Sequence, residues 1–272
     1  TLIGGQAGDA LTDADKNTVV GQGALSADTL GSLSTALGYD ALNVQNFTTA
    51  TDSYNVAVGA FAGAAVTTGT ENTLIGAEAG DAITTGIRNS ALGLGALGSI
   101  TEGRSNTAIG RTALSSDTKG RYNVAIGEDA LATQNFTTLT SSYNVAVGYA
   151  AGLSVTTGVQ NTIVGSLAAD AMTVGQNNVA IGVAALSTDV GGSRTVAIGR
   201  GALGSEDTPG KAVAVGYAAL NAQNAGADAY NVAVGHEAGK LVSTGGYNTF
   251  IGGLTGDAIT SGNTNVAVGY QA

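Results

Sequence analysis

Residues 54–59 read Tyr-Asn-Val-Ala-Val-Gly, and the same six residues recur at 143–148 and at 230–235. Related segments fill the rest of the chain, and each ends in a glycine that follows Ile, Val or Leu. These strand glycines are Gly4, Gly21, Gly38, Gly59, Gly76, Gly93, Gly110, Gly127, Gly148, Gly165, Gly182, Gly199, Gly216, Gly235, Gly252 and Gly269. They lie 17 residues apart, except for two steps of 21 and one of 19. The chain is therefore a tandem repeat of about sixteen units.

Each unit is too short for a helical hairpin but suits one coil of a β-solenoid. Val and Ile favour strands, Asn and Gly favour turns, and stacked Asn side chains can form a ladder. The sequence therefore predicts an all-β fold, a parallel β-roll or β-solenoid of about sixteen 17-residue coils in a single repeat domain over residues 1–272. The segment Asn46-Phe47-Thr48-Thr49 recurs 89 residues later, which indicates a super-repeat of five coils with side loops in its longer coils.

The composition limits both the fold and the partners. With 43 glycines and 5% aromatic residues, the chain cannot build one thick core but can build many thin ones. Its net charge of −10 argues against nucleic acid, because a phosphate-binding surface needs clustered Lys and Arg. No apolar run approaches the ~18 residues of a membrane span, so we expect no membrane insertion in this segment. The absence of cysteine is compatible with an extracellular location.

The two faces of the repeated strand are both apolar. Val56 and Val58 share one face, and Ala57 points to the other. We expect the Val and Ile face to fill the coil and other copies of the chain to cover the opposite face, since strands that are apolar on both faces are covered on both. A homotrimer, intertwined or side by side, is the natural closed arrangement; a single-chain solenoid with an Ala-rich outer face is the alternative. The trimer-interface candidates are Ala57, Leu74, Ala91, Ala108, Ala125, Ala146, Ile163, Ala180 and Phe250.

The segments 55–59, 123–127 and 265–269, each Asn-Val-Ala-Val/Ile-Gly, resemble the head repeat of trimeric autotransporter adhesins of the YadA type. Closely similar repeats are found in bacteriophage tail fibres. The resemblance covers essentially the whole chain and implies a trimer of parallel, left-handed β-rolls on a bacterial surface or a virion. The 17-residue coil is longer than that of the adhesin head, which favours the phage-type fibres.

Two functions therefore compete. The first is a structural and adhesive fibre segment of a phage tail fibre or bacterial surface adhesin, whose side loops attach to a cell-surface glycan or protein receptor of the host. The second is a purely structural, self-assembling extracellular filament or shaft that has no ligand of its own. Both predict a stretch of a longer fibre, because residues 1 and 272 fall within a coil and solenoids need polar caps.

No residue pattern indicates an enzyme or a cofactor. The one histidine, His236, occupies a position that other units fill with Ala60 or Tyr149, so we expect it at the surface rather than in a catalytic triad. Four aspartates share one coil position: Asp9, Asp81, Asp170 and Asp257. Three copies of such a carboxylate in a trimer could bind Ca²⁺, whereas the simpler interpretation is an Asp that caps a turn through its own backbone.

Threonines eight residues after the strand glycine form a column that includes Thr67, Thr84 and Thr101. Flat arrays of Thr suggest ice binding. That function needs two regular columns, and the neighbouring position is mixed, so a Thr ladder that supports strand pairing is the preferred interpretation.

The side loops offer the candidates for ligand binding, since loops carry function on regular scaffolds. These candidates are Phe47, Tyr54, Phe136, Tyr143 and Tyr230. Exposed aromatic rings beside Asn and Thr could stack on sugar rings. Alternatively, they plug the space that the insertion opens or contact a neighbouring chain.

Overall fold

The computed structural model describes residues 1–206 and 210–272. The described residues form strands and turns and include no helix. They divide into two compact units, Thr1–Ser142 and Tyr143–Ala272, and each unit is a parallel β-solenoid. The predicted all-β solenoid of about sixteen 17-residue coils is confirmed, while its handedness and the single domain over residues 1–272 stay predictions.

The first unit has one main parallel sheet with a strand from every coil. Its strands are β1 (Leu2–Ile3), β2 (Thr18–Val20), β3 (Gly31–Ser32), β4 (Thr35–Leu37), β5 (Thr51–Asp52), β6 (Val56–Val58), β7 (Thr73–Ile75), β8 (Ser90–Leu92), β9 (Thr107–Ile109), β10 (Gly120–Arg121), β11 (Val124–Ile126) and β12 (Thr140–Ser141). The main sheet has the order β1-β2-β4-β6-β7-β8-β9-β11. Two short parallel pairs, β3–β5 and β10–β12, lie where a coil is lengthened.

The second unit repeats this arrangement. Its strands are β13 (Val145–Val147), β14 (Thr162–Val164), β15 (Val179–Ile181), β16 (Val196–Ile198), β17 (Val213–Val215), β18 (Val232–Val234), β19 (Thr249–Ile251) and β20 (Val266–Val268). Each strand pairs in parallel with the next along the chain, and equivalent coil positions face each other, as Ala180 faces Ala197. Side chains of one type therefore stack in columns.

The central residue of each strand, two places before the strand glycine, points into the coil. Ala57 has no exposed surface, while its neighbours Val56 and Val58 are partly exposed. The prediction that the Val and Ile face fills the coil is therefore wrong. The nine interface candidates are at most 2% exposed within a single chain, so their side chains cannot contact another copy: Ala57, Leu74, Ala91, Ala108, Ala125, Ala146, Ile163, Ala180 and Phe250.

Most coil interiors pair a small residue with a large one. Where the central residue is Ala, the residue four places after the strand glycine is often a buried Leu, such as Leu97 or Leu114. Where the central residue is Leu or Phe, glycine takes that second place, as Gly80 does for Leu74 and Gly256 for Phe250. A Cβ added at Gly63 or Gly80 would lie within 2.8 Å of the Leu74 side chain. These glycines thus leave the space that the Leu74 side chain fills, as close packing requires.

The strand glycines adopt a backbone conformation that other residues avoid. Their φ angles lie between +131° and +148°. A Cβ at Gly93 would lie 2.6 Å from the carbonyl oxygen of Gly110 in the next coil. Both the backbone angle and the close approach of the coils therefore require glycine at this position.

Asparagines four places before the strand glycine join neighbouring coils. Asn72 donates from Nδ2 to the carbonyl oxygen of Gly86 at 2.9 Å, and its Oδ1 accepts the backbone N–H of Asn89 at 3.0 Å. The same two bonds recur at Asn89 and Asn161. These buried amides satisfy backbone groups of the turns, so the predicted Asn ladder is confirmed.

Candidate functional site

The interior position seven places after the strand glycine differs between two kinds of coil. In most regular 17-residue coils it is apolar, and Val66 and Ile83 are fully buried there. Asp189, two coils before the third lengthened coil, is a fully buried exception. At and beside the three lengthened coils, which contain inserted residues, it is polar. Asp28 and Gln45 hold this position around the first insertion and are also fully buried.

The buried Asp28 carboxylate ties the first lengthened coil to the coil before it. Its Oδ2 accepts a hydrogen bond from Gln45 Nε2 at 2.6 Å. Its Oδ1 accepts the backbone N–H groups of Gly31 at 3.0 Å and Phe47 at 3.2 Å. The other end of the Gln45 amide, Oε1, accepts a bond from Asn55 at 2.8 Å. One carboxylate thus fixes both ends of the segment 45–47.

The same arrangement recurs at the second insertion. Gln134 Nε2 donates to Asp117 Oδ2 at 2.6 Å, and the Phe136 backbone N–H donates to Asp117 Oδ1 at 3.1 Å. Burial raises the pKa of the Asp117 carboxyl above its ordinary value, although its hydrogen bonds act in the opposite direction. At the third insertion Glu206 replaces the aspartate and bonds Gln223.

The two Phe candidates for ligand binding lie inside the coils. Phe47 is 5% exposed and Phe136 is 7% exposed. A Cβ added at Gly31 would lie 2.7 Å from the Phe47 ring, so the glycine makes room for it. The prediction that these rings contact a ligand is wrong, because they fill the space that the insertion opens.

The three Tyr candidates have exposed side chains. Tyr54, Tyr143 and Tyr230 are 55%, 52% and 45% exposed. Tyr54 donates from its hydroxyl to Asp52 at 3.4 Å, and Tyr230 does the same to Asp228. These rings are therefore accessible to a ligand.

The last of these tyrosines belongs to a larger surface cluster. Its ring stacks on that of Tyr247, with centroids 5.4 Å apart. Lys211 forms an ion pair with Asp228 and also donates to the Tyr230 hydroxyl at 3.2 Å. The hydrogen bond to Asp228 raises the pKa of the Lys211 ammonium group. The cluster presents an aromatic edge beside paired charges.

The outer face of each main sheet consists of the residues one and three places before the strand glycine, here called the outer columns. In β13–β20, fourteen of these sixteen residues are Val or Ile, and the others are Thr162 and Thr249. In the first unit the column next to the glycine is aliphatic at every coil, and the other column is mostly Thr. None of the outer-column residues, all of which the structure describes, carries a charge. Ile75, Ile109 and Ile251 are more than one third exposed.

The recurring aspartates lie far apart within a chain. Asp9 and Asp81 are four coils apart, which corresponds to roughly 19 Å at the usual strand spacing. No group of three or more His, Cys, Asp or Glu side chains that could hold a metal ion is found among residues 1–206 and 210–272. The backbone N–H groups of Asp81 and Ala82 act to lower the pKa of the Asp81 carboxyl, which favours the turn-capping interpretation. Burial raises the pKa of the Asp81 carboxyl, as it does for Asp170.

A shallow surface groove of about 410 Å³ lies beside Asp81. Its apolar side includes Val44 and Phe61, and its polar side includes Glu78 and Asp81. The groove is open to solvent along its length and does not enclose a reacting group.

His236 and the Thr column have ordinary structural partners. The His236 ring stacks on Tyr217 with centroids 5.1 Å apart. Thr67 and Thr84 donate from their hydroxyls to the backbone carbonyl of the next Thr in the column, at 3.1 and 3.2 Å. These hydroxyls therefore support pairing between coils, as the Thr-ladder interpretation predicts.

No protein-family model, curated protein or solved structure matches the chain. Within the described residues, no helix is long and apolar enough to cross a membrane. The resemblance to adhesin and tail-fibre repeats consequently stays a prediction.

The sequence interpretation missed the buried carboxylate–amide pairs. A signal was present: the position seven places after the strand glycine is aliphatic at Val66, Ile83 and Ile100 but switches to Asp28 and Gln45 at the insertion. The same Asp and Gln return 89 residues later, at 117 and 134. A polar pair that appears only where a coil is lengthened predicts a role in holding the insertion.

Proposed function

We propose that this chain is a segment of an extracellular fibre in which several copies of the solenoid, most simply three parallel, left-handed β-rolls, pack through their outer columns. The observation that carries the proposal is the outer face of the sheets, which is aliphatic or Thr-bearing, free of charge and continuous along each unit. Parallel sheets that are apolar on both faces are covered on both. The coil interior covers one face, and the proposed partners cover the other.

Another copy of the chain is the partner that fits this face best. The outer-column side chains repeat along the coil axis at the strand spacing of ~4.8 Å. An identical solenoid presents the same spacing, so its side chains can interdigitate with these over every coil. The chain carries a net charge of −10, but none of it lies on the outer columns, so copies can meet there without repulsion between facing charges.

The side loops are the proposed adhesive elements, on a phage tail fibre or a bacterial surface adhesin. Tyr54 and Tyr230 each expose a ring beside a carboxylate, Asp52 and Asp228. An exposed ring can stack on the apolar face of a sugar while the carboxylate accepts hydrogen bonds from its hydroxyl groups. A cell-surface glycan is therefore the favoured receptor. A shaft without a ligand is the second candidate, favoured by the burial of Phe47 and Phe136.

Light scattering of the purified chain tests the assembly. We expect the mass of a trimer for the wild type. The double variant Val196→Lys and Val213→Lys, which places charges on adjacent strands of the outer columns, should remain folded by circular dichroism but dissociate to monomers.

The matched control is Val174→Lys, an exposed valine outside the outer columns. It should leave the trimer intact. A wild-type chain that is folded and monomeric at all concentrations would contradict the proposal, as would a double variant that keeps the wild-type mass.

A further inference from the structure

Two asparagines in the side loops carry the sequence pattern of a glycosylation acceptor. Of the 19 asparagines in the chain, Asn46 and Asn135 alone are followed two residues later by Ser or Thr, here Thr48 and Thr137. The pattern Asn-x-Thr, with x not Pro, is the acceptor for N-linked sugars and needs an accessible loop. Both copies fall in lengthened coils, 89 residues apart.

The backbone presents the acceptor pair on one side. Along residues 45–48 the exposure alternates: Gln45 is buried, Asn46 exposed, Phe47 buried and Thr48 exposed. Residues 134–137 alternate in the same way. Because successive side chains of extended backbone point to opposite sides, the Asn and the Thr of each acceptor face solvent together.

Buried contacts hold each acceptor in this conformation. Asp28 binds Gln45 and the backbone of Phe47, the residues on either side of Asn46. Thr29 donates from its hydroxyl to Asn46 Oδ1 at 3.2 Å. Asn46 Nδ2 has no hydrogen bond to any residue that the structure describes.

The second acceptor is held in the same way. Asp117 binds Gln134 and the Phe136 backbone, and Thr118 donates to Asn135 Oδ1 at 3.1 Å. Nδ2 of Asn135 likewise has no partner among residues 1–206 and 210–272. The neighbouring coil therefore engages the amide oxygen of each acceptor and leaves its nitrogen outward.

We propose that Asn46 and Asn135 are acceptors for N-linked glycosylation from a glycosyl diphosphate donor, catalysed by a transferase that recognises Asn-x-Thr. Nδ2 forms a bond to the anomeric carbon of the sugar and loses a proton to a base of the transferase. The bond from that carbon to the diphosphate oxygen breaks, and the diphosphate leaves with the electron pair. The amide oxygen keeps its bond to Thr29 or Thr118, so the product fits the folded coil.

The third lengthened coil is a natural control. Its equivalent segment is Gln223-Asn224-Ala225-Gly226, in which Gln223 is buried and Asn224 is exposed. It lacks both the Phe and the Thr. Sugars on the first two lengthened coils alone would mark two points of the first unit. These points are five coils, or roughly 24 Å, apart along its axis.

The test uses the native full chain, a purified Asn-x-Thr glycosyltransferase and its donor, followed by intact-protein and peptide mass spectrometry. One arm supplies a nucleotide-linked sugar and the other a lipid-linked oligosaccharide. A single-sugar increment points to the first source, and a multi-sugar block points to the second. We expect two additions in the wild type, one in Asn46→Gln or in Asn135→Gln, and none in the double variant or in Thr48→Ala with Thr137→Ala.

Two results would overturn the proposal. One is a native chain that gains no sugar in either arm, whether or not the heat-unfolded chain is modified. The other is an addition that persists in the double variant or appears at Asn224. The proposal rests on the extracellular fibre function for its biological setting, but light scattering of the same sample reports assembly separately, so the two can fail independently.

Discussion

Coils with an apolar interior and the coils at and beside an insertion have the same strand and the same glycine turn, but their interiors differ in polarity. In the regular coils at Val66, Ile83 and Ile100, the position seven places after the strand glycine is apolar and fully buried. Around the lengthened coil it is a carboxylate and an amide, Asp28 and Gln45, buried to the same extent. The backbone tolerates both because the carboxylate is fully engaged by donors.

The comparison of the two kinds of interior shows what a tandem repeat needs in order to contain an insertion. Neighbouring coils are nearly identical, so apolar packing alone does not specify which coil receives the additional residues. A buried carboxylate that must find three donors restricts the insertion to the coil that supplies them. Polar groups that fix register in this way are known from coiled coils.

The largest effect should come from placing a carboxylate in a regular coil. Ile83→Asp puts a charge between Val66 and Ile100, where no Gln pairs with it and the nearby Asn89 amide already donates to Asn72 and Gly103. We expect the free energy of unfolding to fall by about 4 kcal/mol, since an unpaired buried charge costs this much. Ile83→Val, the control, should cost about 1 kcal/mol. Chemical denaturation measures both, and equal losses would refute the distinction between the two interiors.

A smaller loss should follow from removing the amide in a lengthened coil. Gln45→Leu deprives Asp28 Oδ2 of its donor while the two backbone donors to Oδ1 remain. We expect a loss of about 2 kcal/mol, the typical cost of leaving a buried polar group unsatisfied. Gln22→Leu, the same change at an exposed site, should leave stability unchanged. If Gln45→Leu stabilises the chain, the Asp28 carboxylate does not need the Gln45 amide as a hydrogen-bond donor.

The smallest effect is a pH dependence at the second insertion. Burial raises the folded-state pKa of Asp117 above its unfolded value, so its stabilising contribution is full below about pH 4 and is lost as the pH rises through the folded value. The melting temperature of the wild type minus that of Asp117→Asn should therefore be largest near pH 4 and shrink towards pH 7. A difference that grows with pH would contradict this account. The exposed substitution Asp13→Asn serves as the control.

The repeat itself was readable from the sequence because glycine and asparagine have demanding roles. The strand glycines mark a backbone angle that only glycine adopts readily, and the asparagines mark the ladder between coils. These two columns predicted the number of coils and the position of the main strands.

From the sequence, the wrong face of the strand was assigned to the coil interior. Both faces of the strand are apolar, and the alternation of side chains does not distinguish the inner face from the outer one. The interior is so thin that a central Ala is matched by a Leu from the opposite side, which leaves the larger Val and Ile outside. The chain did contain a sign of this. Leu74 is a large central residue. Four places after the strand glycine, its own coil has Gly80 and the preceding coil has Gly63, whereas many other coils have Leu there.

The Phe and Tyr candidates in the side loops differ in exposure for a related reason. Phe and Tyr are equally aromatic, but in the first two loops Phe47 and Phe136 lie two residues after the buried Gln and so share its side of the extended backbone. Phe136 therefore enters the coil, whereas Tyr143 remains exposed. The buried carboxylate that fixes this phase comes from the preceding coil, so the loop sequence alone does not reveal it.

Cysteine cross-linking tests the central claim, that the central strand residue is internal and the outer columns join copies. The chain has no native cysteine, so Ala108→Cys and Ile109→Cys can be compared directly. Ala108 is fully buried and Ile109 is 37% exposed. Treatment with a short bismaleimide should convert the Ile109→Cys chain into covalent dimers, since each chain has one thiol, and leave the Ala108→Cys chain uncross-linked. Dimers from Ala108→Cys, with none from Ile109→Cys, would contradict the account.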